Sequence, residues 1–169
     1  EGRNFEEIDY VKRTILSLYE EDLHKYDDEG FNRVSAIFRS IPEQLSHHNA
    51  LFKFSSVEKD VRFQTLSPSI DFLSESMMVN MCYNVTAPEV LLELNVDKAN
   101  LKMYMGDTGL LVTQASRSGS VTDNALYKAL IFDKLGVNQG MIMENMVAQM
   151  LVAAGHELYF HEFKYQPPE

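Results

Sequence analysis

The hydrophobic positions change period several times along the chain. Over residues 5–26 they recur at helical spacing, with Phe5, Ile8, Val11, Ile15, Leu18, Tyr19 and Leu23 on one stripe. Asn4 can cap this helix, and Glu6 and Glu7 suit the positive end of its dipole. Asp27-Asp28-Glu29-Gly30 ends it. A second helix is expected from Asn32 to Arg39, with Val34, Ile37 and Phe38 inward. Proline is poorly placed inside a helix and well placed in its first turn, so Pro42 predicts a break at Ser40–Ile41 and a short helix over 42–48.

Residues 51–64 mix Leu51, Phe52, Phe54, Val57 and Phe63 with Lys53, Glu58, Lys59, Asp60 and Arg62 without a clear period. A loop or short extended segment is expected there. Ser67-Pro68 reads as a cap and first turn, predicting a helix over 66–77 with Ile70, Phe72, Leu73, Met77 and Met78 on its buried side. Val79–Val85 then reads as a strand and Leu101–Met105 as its partner. Thr86-Ala87-Pro88 and Asp97-Lys98-Ala99-Asn100 supply turns.

After Asp107 a short helix over 108–113 holds Leu110, Leu111 and Val112. A polar linker, Ser116-Arg117-Ser118-Gly119-Ser120, precedes two helices at 123–135 and 140–154. Gly155 closes the second, and Glu157–Lys164 reads as a strand. The fold class expected is α+β, mostly helical. Helices at 32–39, 42–48 and 66–77 followed by a two-stranded hairpin make a winged helix-turn-helix. There is no internal repeat and no low-complexity segment.

Composition narrows the setting. The 169 residues suffice for one sizeable core or two small modules. With 45% hydrophobic and 24% charged residues, the balance is that of an ordinary globular protein. No apolar run is long enough to span a bilayer. The single Cys82 excludes an internal disulfide and suits a reducing cytoplasm. The start, Glu1-Gly2-Arg3-Asn4, reads as a cut in a longer protein. The net charge of -10 argues against a general nucleic-acid binder, and the acidic stretch at 20–29 reads as a solvated helix end.

Candidate chemistry is sparse. No Gly-x-x-x-x-Gly-Lys-Ser/Thr loop occurs, so phosphates cannot be cradled by that mechanism. Gly106-Asp107-Thr108-Gly109 reads as a tight turn with Asp107 capping the following helix. His47, His48, His156 and His161 lack the convergent spacing of a zinc site. The nine methionines recur at strand and helix spacing, as core and adaptable interface residues do. For DNA, the helix at 66–77 offers Ser67, Ser69, Asp71, Ser74 and Glu75, with only Lys59 and Arg62 nearby as basic contact candidates. Acidic groups there would repel phosphates, so a packing module is preferred.

Several segments occur together in an order that resembles one family. They are Ser40-Ile41-Pro42-Glu43-Gln44-Leu45, Ile70-Asp71-Phe72-Leu73, Met78–Val85, Lys102–Leu111 and Gly140–Phe160. The chain is similar to the C-terminal region of bacterial and archaeal AAA-type P-loop ATPases that end in a nuclease-like domain of unknown function. The resemblance implies three units. Residues 1–29 would be the end of the ATPase lid, 30–106 a winged helix-turn-helix, and 107–169 an incomplete restriction-endonuclease-like α/β domain.

In such nuclease folds one metal-site acid comes from a helix and others from the next two strands. Glu144 matches the helix acid by position, so it is a candidate metal-site acid in the longer parent. The family's downstream Glu-x-Asp and Glu-x-Lys strands lie beyond Glu169. The implied function is a non-catalytic coupling or partner-binding module, with no catalytic residue, cofactor or metal site in this stretch. ATP and Mg belong to a separate ATPase domain. A winged-helix DNA-binding regulator is one alternative, and a metal-dependent nuclease is another for the parent. The implied partners are the parent's own ATPase domain and further copies of the chain. A cytoplasmic, non-membrane location goes with them. Self-association is expected because the helix at 140–154 is apolar on most of its circumference.

Overall fold

In a computed structural model, residues 5–26, 33–47, 51–116 and 139–162 are described. The expected helix at 123–135 and most of the polar linker lie outside them. Five α-helices and three strands are present among the described residues, giving an α+β, mostly helical fold. Their order is α1 (Phe5–Tyr26), α2 (Arg33–Ser46), α3 (Phe63–Glu75), β1 (Val79–Val85), β2 (Val96–Met105), α4 (Thr108–Ala115), α5 (Gln139–Ala153) and β3 (Leu158–Phe160).

α1 forms where the periodicity puts it, and Ile15, Tyr19 and Leu23 of the expected stripe do face the core, but Ile8, Val11 and Leu18 do not. Leu16 and Leu23 are fully buried, whereas Ile8, Val11 and Leu18 are about half exposed or more. Leu16, Leu23 and the half-buried Tyr19 meet the core; Tyr19 stands edge-on to Phe38, with ring centroids 6.3 Å apart. Asp9 is buried on the same helix and accepts from Arg13 Nε at 2.7 Å.

α2 does not break at Ser40–Ile41. It runs unbroken through Pro42 to Ser46. A proline at this position removes the N–H that would serve the Phe38 carbonyl four residues earlier. That carbonyl is not orphaned, because Gln114 Nε2 donates to it at 2.7 Å. The helix tolerates the proline because α4 supplies the missing donor. α3 behaves in a similar way. It starts at Phe63 rather than Ser67, with Pro68 inside it and Ser67 Oγ donating to the Gln64 carbonyl at 3.3 Å.

Residues 51–62 are irregular apart from a 3-10 turn at Phe54–Ser56. Gln44 of α2 pins this loop: its Oε1 accepts from Lys53 N at 3.1 Å, and its Nε2 donates to Ser56 Oγ.

The strands form one mixed sheet in the order β2-β1-β3. β1 has the expected bounds and pairs antiparallel with β2. β2 begins earlier than expected, at Val96. The predicted turn at 97–100 survives as a bulge, where the register jumps from Tyr83↔Leu101 to Asn84↔Asp97. Asp97 holds that bulge, accepting from Ala99 N at 3.1 Å and from Asn100 Nδ2 at 2.6 Å. β3 lies parallel to β1, with Cys82↔Leu158 and Asn84↔Phe160.

Strand alternation places Cys82, Lys102, Tyr104, Leu158 and Phe160 on one face of the sheet. α5 crosses this face and touches all three strands. One hydrophobic core runs from Leu16 of α1 through α2, α3 and the sheet to Leu158.

Candidate functional site

The densest set of side-chain to backbone hydrogen bonds between α5 and the sheet lies where β2 turns into α4. Gly106 N donates to the Met78 carbonyl at 2.9 Å. A Cβ at Gly106 would come within 2.5 Å of the Met77 carbonyl oxygen, so only glycine fits this approach. Asp107 then caps α4, its Oδ1 accepting from Leu110 N at 2.8 Å.

Two amides of α5 grip this turn. Asn145, at 0% exposure, accepts from Met105 N at 2.7 Å and donates to the Met105 carbonyl at 3.1 Å. The same Nδ2 donates to Thr108 Oγ1 at 2.9 Å. Gln149, one turn further on, accepts from both Thr108 N and Thr108 Oγ1, at 2.9 and 2.8 Å. Asn145 thus substitutes for a neighbouring strand beside Met105, tying α5 to the sheet with two bonds and to the start of α4 with a third.

Glu144 projects from the same helix into a groove between α5 and the sheet. The groove is about 430 Å³ and is lined mainly by apolar side chains, with Lys102, Tyr104 and Cys82 on its sheet side. Tyr104 Oη donates to Glu144 Oε2 at 3.3 Å. Burial, reinforced by the Glu144 carboxylate, pushes the Tyr104 hydroxyl far above its usual range. Burial also pushes the Cys82 thiol up to about 11; Lys102 opposes this weakly and Glu144 adds to it. Both groups are therefore protonated near neutrality and poorly suited as nucleophiles. Lys102 Nζ lies 5.4 Å from the centroid of the Phe160 ring, within cation–π range.

Glu144 is thus the one carboxylate lining this groove. Among the described residues, no group of three or more His, Cys, Asp or Glu side chains is placed to hold a metal ion. The arrangement is an apolar groove with Lys102, Tyr104 and Glu144 as its polar members.

The other sequence candidates sit elsewhere. Lys59 and Arg62 are exposed beside the start of α3, Arg62 as its N-cap residue without a side-chain cap bond. Asp71 and Glu75 are exposed on the helix they precede. Glu58, next to Lys59, is held by both Arg33 Nε at 2.8 Å and Arg33 Nη2 at 3.3 Å. His47 and His156 are exposed, and His161 Nδ1 lies 2.6 Å from the Val85 carbonyl.

The amide pair at Asn145 and Gln149 was not singled out from the sequence. Its signal was there: two amides four residues apart on a helix otherwise rich in apolar side chains, in phase with Met141 and Ala148. No described helix is long and apolar enough to cross a membrane. No curated protein and no solved structure matches the chain. A family model does match it over residues 1–120, more than half its length, and the chain therefore belongs to the family described as Domain of unknown function (DUF8612).

Proposed function

We propose that this chain is a non-catalytic coupling module from the C-terminal part of an AAA-type P-loop ATPase. On this reading residues 30–106 are its winged helix-turn-helix and residues 107–169 begin a nuclease-like domain. Its support is the resemblance of the segment order together with the antiparallel β1–β2 pair that follows α3; two helices, α2 and α3, stand before that pair where three were expected, and α4 and α5 follow. The observation that carries the coupling role is the Asn145–Met105–Thr108–Gln149 joint. It fastens α5 to the end of β2 and to the start of α4, and α4 packs against α1. Movement imposed on α1 by an attached domain would thus reach α5 through buried, hydrogen-bonded contacts instead of a slack linker.

ATP and Mg would bind the separate ATPase domain, since this sequence contains no phosphate-binding loop. In the parent, Glu144 would be one acid of a metal site completed by strands further along. Calorimetric titration with ATP tests the module reading directly. No saturable heat is expected, and micromolar binding would overturn it. The DNA-regulator reading rests on the exposed Lys59 and Arg62 alone, against Asp71 and Glu75 on the adjoining helix. Tight duplex binding that weakens steeply with salt and is lost in Arg62→Ala would favour it instead.

A further inference from the structure

β3 is the outer strand of the sheet, and among the described residues no strand pairs with its far side. An edge of this kind presents backbone N–H and C=O groups to any extended chain laid beside it. What sets this edge apart is an open apolar groove on each of its two faces. On the α5 face, the groove of about 430 Å³ is walled by Val147, Leu151 and Phe160. On the opposite face, a second groove of about 460 Å³ is walled by Met77, Met81, Val96 and Tyr159. Leu158 and Tyr159 line both, so β3 is the ridge between them.

We propose that the β3 edge captures an extended segment of a partner polypeptide by strand addition. Successive side chains of a strand point to opposite faces. A strand seated beside β3 would therefore send alternate side chains into the two grooves, and its backbone would pair with the edge. The occupant that satisfies all three features has large aliphatic residues on both faces. A helix would leave the strand's polar backbone unpaired, and an amphipathic strand would fill only one groove. Charge defines its flanks. The protein carries a net charge of -10, and the second groove is lined by Glu93 and Glu157 against Lys98, with His156 beside them. Basic residues at the ends of the incoming segment would be drawn in, whereas another copy of this acidic chain would be repelled at long range.

Strand capture at this edge requires no ATPase, so its test can fail or succeed whatever ATP does. The probe is a fluorescently labelled, end-blocked peptide, Lys-Val-Ile-Val-Ile-Val-Lys, titrated with the intact protein and followed by anisotropy. The control peptide has proline at its centre, which removes a backbone donor and resists the strand conformation. Saturable binding of the first peptide and none of the second are expected. Leu151→Glu puts a charge into one groove at a position already 42% exposed, so the fold should tolerate it. Binding should weaken by about tenfold or more. Met150→Glu, on the same helix but outside both grooves, should leave binding unchanged. Equal binding of the proline peptide would overturn the proposal, as would equal losses in the two variants or no binding at all. Self-association that Leu151→Glu abolishes, without peptide binding, would also overturn it by assigning the edge to a second copy.

Discussion

α2 and α5 have nearly the same length and are held by different means. α2 buries eight of its 14 residues, including Ile37, Phe38 and Ile41 at 0% exposure. α5 buries three of its 15, namely Met141, Asn145 and Ala148. Apart from Ile142, which packs against the core, its other large apolar side chains are substantially in water, with Met143, Val147 and Met150 at 50%, 51% and 66%. α2 is thus fixed mainly by apolar area removed from water. α5 owes its position on the sheet largely to two amides that complete backbone hydrogen bonds. Area tolerates small shifts, since apolar contact is not directional. An amide bonded to both groups of one residue does not, because each bond depends on angle as well as distance. The helix with the smaller buried face is therefore the more narrowly oriented of the two.

This contrast can be broken from either side. Phe38→Ala should cost the most, about 3–5 kcal/mol, because it empties the centre of the α2 core. Urea denaturation of the variant should show a lower midpoint. If Phe38→Ala costs no more than an ordinary surface change, α2 is not held by area. Asn145→Ala should follow closely, at about 2–4 kcal/mol, because it strands the Met105 N–H and carbonyl inside the protein. Hydrogen exchange should speed up first at Met105 and Thr108, and faster exchange spread evenly over the chain would contradict a local joint.

Gly106→Ala should cost about 1–3 kcal/mol, since its Cβ would collide with backbone that cannot move without shifting β1. Met150→Ala should change stability by no more than about 0.5 kcal/mol. A larger loss would mean that the outer face of α5 is covered in solution, and light scattering would show whether by a second copy.

The pH dependence sharpens the same contrast at the groove. The Cys82 thiol is raised from 9.0 to about 11 in the folded chain, so the folded state keeps a proton that the unfolded state releases. Its contribution is complete below pH 9.0 and is lost as pH rises towards 11. Thermal midpoints should therefore fall over that interval, and fall less in Cys82→Ala. Identical slopes for the two proteins would show that the thiol is not the group responsible.

Local sequence signals were legible where neighbours in the chain decide the structure. Val79–Val85 alternates and forms a strand with those bounds. Asp107 caps its helix through a residue three positions away. Gly155, at φ +85°, ends α5, with Gly155 N donating to the Val152 carbonyl and His156 N to the Leu151 carbonyl. Distant partners were not legible. The proline in α2 read as a break because the donor that replaces its missing N–H comes from Gln114. The buried face of α1 was read correctly at Ile15, Tyr19 and Leu23 and misread at Ile8, Val11 and Leu18, which fit the same period while the core selects Leu16 instead. Glu144 stood out among apolar neighbours, while the adjacent Asn145 carries the structural bonds. An amide's role depends on what lies across the gap, and here that is Met105, 40 residues away.

The pairing of Pro42 with Gln114 has a consequence for how this chain can change over time. Replacing the proline alone would restore an N–H to α2, and the Phe38 carbonyl has two lone pairs with which to accept from it and from Gln114. Replacing the glutamine alone would leave the Phe38 carbonyl bare in the core. Loss of the glutamine alone is the step that costs stability, whereas the double replacement by Ala and Leu gives the Phe38 carbonyl back its intrahelical donor and removes the buried amide. The two positions are thus expected to vary as a pair across related sequences, so that a fault in one helix and its repair from another are inherited as one unit.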